Sequence, residues 1–219
     1  MCGAKAEPFL IVDKLNSYAH HLNSSQIMCY NFFRPLINKD SSPKEELIAI
    51  LRGYCSNLDS KGAHCIFEYE EEYGDGTNFD FYIENGDISV FCEIKYTEDY
   101  FKKNSNCKNS KERYEKVYKP MIDGAWDLWK DNVSEDAVMN KYYQLFRNAS
   151  KAKKGKSYVL FICPKDNCRL KKQYDDFRRK FMKENDVVQY VFWEDLVDVA
   201  SKIGVDTCEF KKKYFGYKQ

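Results

Sequence analysis

The sequence contains no apolar run approaching the roughly 20 residues that are needed to cross a bilayer. Its N-terminal stretch MCGAKAEPFLIVDKL has too short an apolar part, and becomes charged too early, for a secretory signal. We therefore expect a cytoplasmic protein without a membrane partner. With 219 residues, the chain is long enough to bury a substantial core in one domain.

Closely paired cysteines and clustered histidines are also missing. The nine cysteines include no CxxC pair, and their odd number and irregular spacing argue against a disulfide framework. The three histidines, at positions 20, 21 and 64, lack metal-ligand spacing. A structural zinc site, which needs closely paired ligands, is therefore not expected.

The chain as a whole has little net charge, only +1. The charges are nevertheless segregated along it. Residues 66–100 contain eleven Asp or Glu and one Lys, whereas residues 141–183 contain fourteen Lys or Arg and three Asp. Such blocks suit a protein that holds metal ions against a polyanion, but they also suit two solvated faces that satisfy one another.

The order of the periodic segments predicts an α/β fold. Ser24 and Ser25 are favourable caps for a helix over QIMCYNFFRPL, and Pro43 followed by Glu45 and Glu46 starts a second helix. Three consecutive antiparallel strands are predicted next, in HCIFEYEEEY, TNFDFYI and ISVFCEIKY. Two helices over about 111–130 and 135–152 precede a strand–helix–strand–helix alternation. This order implies a mixed sheet with helices on both faces.

The hairpin FDFYI-ENGD-ISVFCEIKY is the strongest local signal. Asn85-Gly86 is a preferred dipeptide for a two-residue type I′ turn, and this turn would place Asp80 opposite Phe91. Since side chains alternate along strands, Asp80, Glu93 and Lys95 are then predicted on one face. The reverse face pairs apolar residues with each other and supports the predicted pairing.

Two neighbouring carboxylates on a sheet repel each other unless a cation compensates them. Mg²⁺ typically binds one or two carboxylates together with waters and phosphate oxygens. Lys95 would lie beside that cation, where an ammonium group can orient a water and stabilise developing negative charge. The alternative is an exposed sheet face with a weak Glu–Lys pair.

In these residues the sequence resembles the PD-(D/E)XK nuclease superfamily, in a bacterial restriction-like branch. The motif is Asp80 followed by Glu93-Ile94-Lys95, although Phe79 stands where the name-giving Pro would be. Asn31, Glu68 and the segment YYQLFRN add to the resemblance, which covers about residues 24–150. It implies a restriction-endonuclease-like αβββαβ core with extra N-terminal helices.

The resemblance also implies a chemistry, namely hydrolysis of DNA phosphodiester bonds that depends on Mg²⁺ or Mn²⁺. Asp80, Glu93 and the carbonyl of Ile94 would bind the metal, and Lys95 would position or activate the attacking water. Glu68 would be the additional acidic residue, with Glu45 and Glu46 as rival candidates. Gln144 matches a helical Gln that some branches place over the active site.

The remaining expectations concern DNA and the limits of the domain. Arg147 and Asn148 share a helical face with Gln144, next to a basic segment, and we predict that five residues in this region bind nucleic acid: Arg147, Asn148, Lys151, Lys153 and Lys154. The expected partner is DNA, and a homodimer stays open. We predict one domain over 1–219, with an N-terminal helical arm (1–40), a catalytic core (41–165) and a C-terminal αβα extension (166–219). The alternative function is an inactive nuclease fold that binds nucleic acid or a partner protein.

Overall fold

The computed structural model describes residues 24–70, 76–101 and 110–216. In them, five strands form one mixed sheet in the order β1-β2-β3-β4-β5. The first three strands are antiparallel, and β3, β4 and β5 run parallel. Helices flank the sheet, which confirms the predicted α/β class with a restriction-endonuclease-like core. The strands are β1 (His64–Glu70), β2 (Asn78–Glu84), β3 (Ser89–Ile94), β4 (Ser157–Cys163) and β5 (Val188–Phe192).

In the described residues nine α-helices precede, connect and follow the strands, and residues 1–23 of the predicted N-terminal helical arm lie outside the described residues. Ser24 caps α1 as predicted, through a bond of 3.4 Å from the N–H of Ile27 to its Oγ. No described helix is long and apolar enough to span a membrane. The helices are α1 (Ser25–Phe33), α2 (Glu45–Leu51), α3 (Ser110–Arg113), α4 (Lys119–Gly124), α5 (Glu135–Met139), α6 (Tyr143–Ala149), α7 (Cys168–Phe181), α8 (Trp193–Lys202) and α9 (Cys208–Phe215).

The predicted pairing of the β2–β3 hairpin is wrong by two residues. The strands pair Tyr82 with Phe91 and close through a longer loop, because Gly86 takes a positive φ and Asn85 does not, so the two residues cannot form a type I′ turn. The Asn85 side chain instead accepts bonds from the N–H groups of Asp87 and Ile88, at 3.3 and 2.9 Å. Since two is a full period of the strand, each side chain in the paired part keeps its predicted face.

The two long helices predicted over 111–130 and 135–152 are both broken. Pro120 lies near the start of α4, where it has no N–H to donate, and the chain widens into a π-helix over Tyr114–Tyr118 just before it. The second helix is split between α5 and α6. There Asn140 leaves helical geometry, and its side chain bonds back to Asp136.

Aromatic side chains form the core on both faces of the sheet. On one face Phe33 of α1 stacks on Phe81 of β2, with ring centroids 4.2 Å apart, and contacts Trp193 of α8. On the other face Phe161 of β4 contacts Tyr174 of α7. β5 pairs with β4, so the segment predicted as a C-terminal extension supplies a strand of the same sheet.

Helix α9 joins the two ends of the described chain, although the sequence pattern did not predict it. Asn31 of α1 donates a hydrogen bond of 2.6 Å to the hydroxyl of Tyr214, and Phe210 packs edge-on against Phe32. Tyr214 is 7% exposed. The basic, aromatic tail is therefore built into the fold as far as α9 extends.

Candidate active site

A cavity of about 440 Å³ opens beside the place where β2 and β3 separate. The ladder of paired residues between these strands begins at Phe81 and Cys92, so it does not include Asp80 or Glu93. The cavity is formed by α1, the first three strands, the segment after β3, and α6. Its lining residues are Ser24, Ser25, Gln26, Glu68, Asn78, Asp80, Glu93, Ile94, Lys95, Glu98, Tyr143, Gln144 and Arg147.

Asp80 occupies the gap between the two strands. Its Oδ2 accepts a hydrogen bond of 2.7 Å from the backbone N–H of Ile94. Burial, and then repulsion by the Glu93 carboxylate, raise the pKa of Asp80 well above its ordinary value, against the opposing effects of Lys95 and the Ile94 N–H. Asp80 is therefore a half-buried carboxyl group whose surroundings disfavour its charged form.

Glu93 is held by donors on both of its oxygens. Oε1 accepts from Lys95 Nζ at 2.6 Å and from Gln144 Nε2 at 2.8 Å, and Oε2 accepts from Asn148 Nδ2 at 2.9 Å. Gln144 and Asn148 lie one turn apart on α6, which runs over this part of the sheet. Helix α6 therefore fixes the orientation of a carboxylate that is only 5% exposed.

Lys95 is a buried cation, 3% exposed. Burial opposes its charge, but the attraction of Glu93, Glu98 and Asp80 outweighs this effect and raises its pKa above the ordinary value. The ammonium group is therefore protonated at neutral pH. It can donate hydrogen bonds and stabilise negative charge, but it cannot accept a proton.

Glu68 lines the same cavity, and its backbone is unusual. Its φ is +51°, a left-handed conformation that a Glu seldom adopts inside a strand. The ladder of β1 and β2 omits Glu68 and Asp80, and Asn78 donates to Glu68 at 3.2 Å. Such outliers concentrate at functional sites, because the surrounding structure must maintain the strain.

The rival acidic residues lie elsewhere. Glu45 and Glu46 are exposed in the first turn of α2, neither lines the cavity, and Glu45 instead accepts a bond of 2.6 Å from Ser60. Of the three candidates, the structure brings only Glu68 to Asp80 and Glu93.

The five residues predicted to bind nucleic acid are not brought together. Arg147 lines the cavity, but Asn148 is 1% exposed and lies beneath it, bonded to Glu93. Lys151, Lys153 and Lys154 lie at the other end of the parallel strands, where Lys153 bridges to Ser157 at the start of β4. Phe161, the partner of Glu93, is four residues further along β4, about 13 Å at about 3.3 Å per residue. The structure therefore does not bring these three lysines to the cavity, and their binding of nucleic acid stays a prediction.

Other basic residues of the segment 141–183 border a larger cleft of about 1000 Å³ along α7. This cleft contains none of the carboxylates that line the cavity. Its basic side chains are Lys141, Lys165, Arg169, Lys171, Lys172 and Arg179.

Several residues that line the cavity are not among the site residues that the sequence predicts. Ser24, Ser25 and Gln26 carry a signal, since a capped helix start presents unbonded N–H groups, but their position beside Asp80 depends on the tertiary fold. Tyr143 precedes Gln144, and its hydroxyl accepts from Arg147 at 3.0 Å. Glu98 follows Lys95 by three residues and lies 4.0 Å from its ammonium group.

The donor atoms of the cavity suit a hard cation only in part. In residues 24–70, 76–101 and 110–216, no group of three or more His, Cys, Asp or Glu could hold a metal ion. Asp80 and Glu93 nevertheless supply two carboxylates in one cavity with the Ile94 backbone, and Mg²⁺ typically takes one or two carboxylates and completes its shell with water. The repulsion that raises the pKa of Asp80 is what a cation between these groups would relieve. The residues therefore fit a two-carboxylate Mg²⁺ or Mn²⁺ site.

Comparison with protein families identifies the chain. The model of a family described as "Restriction Endonuclease associating with ARP" matches residues 12–215. The chain belongs to this family. The match with this restriction endonuclease family includes α7, β5, α8 and α9, so the C-terminal elements are part of what the family shares. Searches of curated proteins and of solved structures gave no match.

Proposed function

We propose that this member of the restriction endonuclease family is a nuclease of the PD-(D/E)XK type, which hydrolyses DNA phosphodiester bonds with Mg²⁺ or Mn²⁺. The observation that carries the proposal is the cavity where Asp80, Glu93 and Lys95 meet. One buried and one half-buried carboxylate beside a buried cation lose much of their hydration, and such groups concentrate at active sites. Family membership supports the nuclease class.

Asp80, Glu93 and the carbonyl of Ile94 would hold the divalent cation. When bound, such a cation supplies positive charge to a phosphate and lowers the pKa of a bound water. Gln144 and Asn148 orient the Glu93 carboxylate through its two oxygens, at 2.8 and 2.9 Å. Their role in the proposed site is positioning, because they act through Glu93.

Lys95 acts as a donor. Since its pKa is raised and it is protonated, it can orient a water molecule and stabilise the negative charge that develops on the phosphate. With Lys95 protonated, the proton of the attacking water would pass to a carboxylate of the cavity or to bulk water. Glu68 lines the same cavity as Asp80, Glu93 and Lys95, and we assign it as the additional acidic residue of the site.

The substrate class follows from the family, and Arg147 is the guanidinium in the cavity that would contact a phosphate. Affinity for DNA should therefore fall steeply as salt rises, because phosphate contacts release counterions. Titrations of labelled duplex DNA at several salt concentrations measure that slope. Binding that does not change with salt would contradict a phosphate-contacting site.

One observation favours the alternative, an inactive nuclease fold that binds nucleic acid or a partner protein. Both oxygens of Glu93 already have protein donors, so the carboxylate is satisfied without a cation. The family description itself names an association with ARP, which would be the protein partner under this alternative. Cleavage and metal binding separate the two functions.

The deciding experiment incubates plasmid and linear DNA with the protein, with and without Mg²⁺ or Mn²⁺. We expect cleavage that requires the metal and is lost in Asp80→Asn, Glu93→Gln and Lys95→Met. Asp87→Asn, in the exposed turn of the same hairpin, is the matched control and should cleave at the wild-type rate. Calorimetric titration should show Mg²⁺ binding that Asp80→Asn loses and Lys95→Met retains. Metal binding without cleavage of any DNA would favour the inactive alternative.

A further inference from the structure

The first turn of α1 forms one wall of the cavity. Ser24, Ser25 and Gln26 line it together with the carboxylates. Ser24 accepts from the N–H of Ile27 through its side chain and from the N–H of Met28 through its carbonyl, at 3.4 and 3.0 Å. The N–H groups of Ser25 and Gln26 lie in the first turn, where the helix has no carbonyl four residues earlier to accept from them. They therefore have no partner within the helix. This nine-residue helix therefore presents its positive end to the cavity.

Gln26 supplies an independent indication that something binds there. Its side chain is 7% exposed, and its Oε1 is buried and has no hydrogen-bond partner among the described residues. Buried polar atoms in folded proteins are normally paired, so this atom in a cavity wall indicates a partner that the described residues do not supply. A rotation of the Gln26 amide by 180° exchanges the positions of Oε1 and Nε2 without changing the fold. The side chain can then offer its NH₂ group as a donor at the same place.

Arg147 provides a second unpaired group in the same cavity. Its two terminal nitrogens donate to Tyr143 and to the carbonyl of Gly76, at 3.0 and 2.9 Å. Its Nε is buried and has no hydrogen-bond partner in the part of the chain that the structure describes. The cavity thus has unpaired polar atoms on α1 and on α6, in addition to the groups that hold Glu93.

The charges of the cavity limit where an anion can bind. A phosphate is repelled by each carboxylate of the cavity unless a cation lies between the two groups. Four carboxylates line the cavity: Glu68, Asp80, Glu93 and Glu98. Lys95 is already engaged by Glu93 at 2.6 Å. The end of α1 and the guanidinium of Arg147 are therefore the parts of the wall that favour an anion.

We propose that the first turn of α1, with Gln26 and Arg147, is a phosphate-binding subsite for a backbone phosphate of the nucleic acid. The inference rests on the proposed nuclease function and adds the element that anchors the substrate. A group that binds the substrate and its transition state equally changes KM and Kd, while kcat stays nearly the same.

The test compares Gln26→Leu, which removes the amide, with Gln26→Glu, which adds a charge that repels phosphate. Asn57→Asp is the charge control, because it adds the same charge at an exposed residue outside the cavity and keeps the oxygen that accepts from Ser56. Binding of a fluorescein-labelled DNA duplex is measured by anisotropy, with Ca²⁺ in place of Mg²⁺, and cleavage kinetics are measured with Mg²⁺. We expect Gln26→Glu to raise Kd and KM about tenfold or more and Gln26→Leu severalfold, with little change in kcat. Asn57→Asp should match the wild type.

Two outcomes would overturn the subsite while leaving the nuclease intact. One is unchanged Kd and KM in both Gln26 variants. The other is a loss of kcat alone, which would mean that Gln26 acts on the chemical step. Thermal unfolding checks that each variant is folded, and the Leu variant remains informative where a buried Glu weakens the fold.

A wild-type protein that neither binds nor cleaves DNA would instead contradict the proposed function. The subsite is then judged by titration with pyrophosphate, monitored by calorimetry. Saturable binding that Gln26→Glu loses would support an anion site of another kind. Absence of binding to the wild type would overturn the subsite as well.

Discussion

Two carboxylates in this protein each collect several donors, one in the cavity and one on the surface of α7. Glu93 is bound by Lys95 and two amides, and the side chains of the ion pair are 4% and 6% exposed. Asp176 is bound by Tyr142, Lys141, Arg179 and Lys180, and the three basic side chains are 57%, 77% and 47% exposed.

The difference lies in what water does for each group. Asp176 and its partners are partly hydrated, so their pairs are screened and each is worth little. Glu93 and Lys95 have lost most of their hydration, and their attraction mainly offsets that loss. Removing one charge from the surface cluster should therefore change the free energy of unfolding little. Removing one charge of the buried pair should change it much more, unless the other charge is removed as well. The cavity therefore carries a charge arrangement that stability alone does not favour.

The largest expected effect comes from breaking the buried pair. Lys95→Met should lower the free energy of unfolding by about 3–5 kcal/mol, because the Glu93 carboxylate stays buried without its cation. The double variant Lys95→Met/Glu93→Gln should recover most of this loss, since no uncompensated charge remains. Urea unfolding of the two single variants and the double variant measures the coupling. Additive losses would show that the pair behaves like the surface one.

Replacing Asp80, the second carboxylate of the proposed metal site, should have the opposite effect on stability. The raised pKa of Asp80 stabilises the fold below about pH 4, where the unfolded group is also protonated, and that contribution is lost as pH rises through the folded pKa. Without metal, Asp80→Asn should therefore be more stable than wild type at neutral pH, and the advantage should shrink as pH falls towards about 4.

The metal dependence of the same variant sharpens the comparison. Mg²⁺ at 100 times its Kd should stabilise the wild type by about 2.7 kcal/mol and should leave Asp80→Asn unchanged. Melting temperatures with and without Mg²⁺, between pH 4 and pH 8, measure both effects. Equal stabilisation of both proteins by Mg²⁺ would place the cation elsewhere.

A smaller effect should separate the two amides of α6. Asn148→Ala removes the described donor to Oε2 of Glu93 and should cost about 1–3 kcal/mol. Gln144→Ala should cost less, because Oε1 keeps its bond to Lys95. Free energies of unfolding of the two variants measure which loss is larger. Asn148→Gln keeps an amide but moves it by one methylene, so it tests whether the stability depends on the position of this donor. The reverse order would mean that Gln144 is the main orienting group.

The smallest effect belongs to the surface. Asp176→Asn keeps an acceptor for the Tyr142 hydroxyl and removes a charge from three exposed pairs. Its free energy of unfolding should change by less than about 1 kcal/mol, and by less again at high salt. The measurement is urea unfolding in low and high salt. A loss as large as that of Lys95→Met would contradict the proposed role of burial.

The sequence pattern was sufficient to predict the sheet and the convergence of the main polar residues. Alternation placed Asp80, Glu93 and Lys95 together, and a two-residue error in pairing did not separate them. The register itself was wrong because Asn85 uses its side chain to close the turn, a choice between two local geometries that both suit the dipeptide.

Roles that depend on long-range packing were harder to predict. Helical spacing put Asn148 beside Arg147, but only the approach of α6 to β3 turns Asn148 inward to Glu93. The lysines at 151, 153 and 154 follow α6 in sequence, yet the chain has by then returned to the start of β4. Charge patterning could not distinguish the two ends of the sheet.

The contact between α1 and α9 also affects how the protein is made. Asn31 and Tyr214 are separated by 183 positions, and the wall of the cavity belongs to the same helix as Asn31. During synthesis α9 leaves the ribosome after every other described helix and strand, so α1 lacks this brace until that segment has been made. Closing so long a loop is entropically demanding, and it comes after the local hairpin can form. The nascent chain would therefore carry the hairpin with Asp80 and Glu93 well before the wall of the site is fixed.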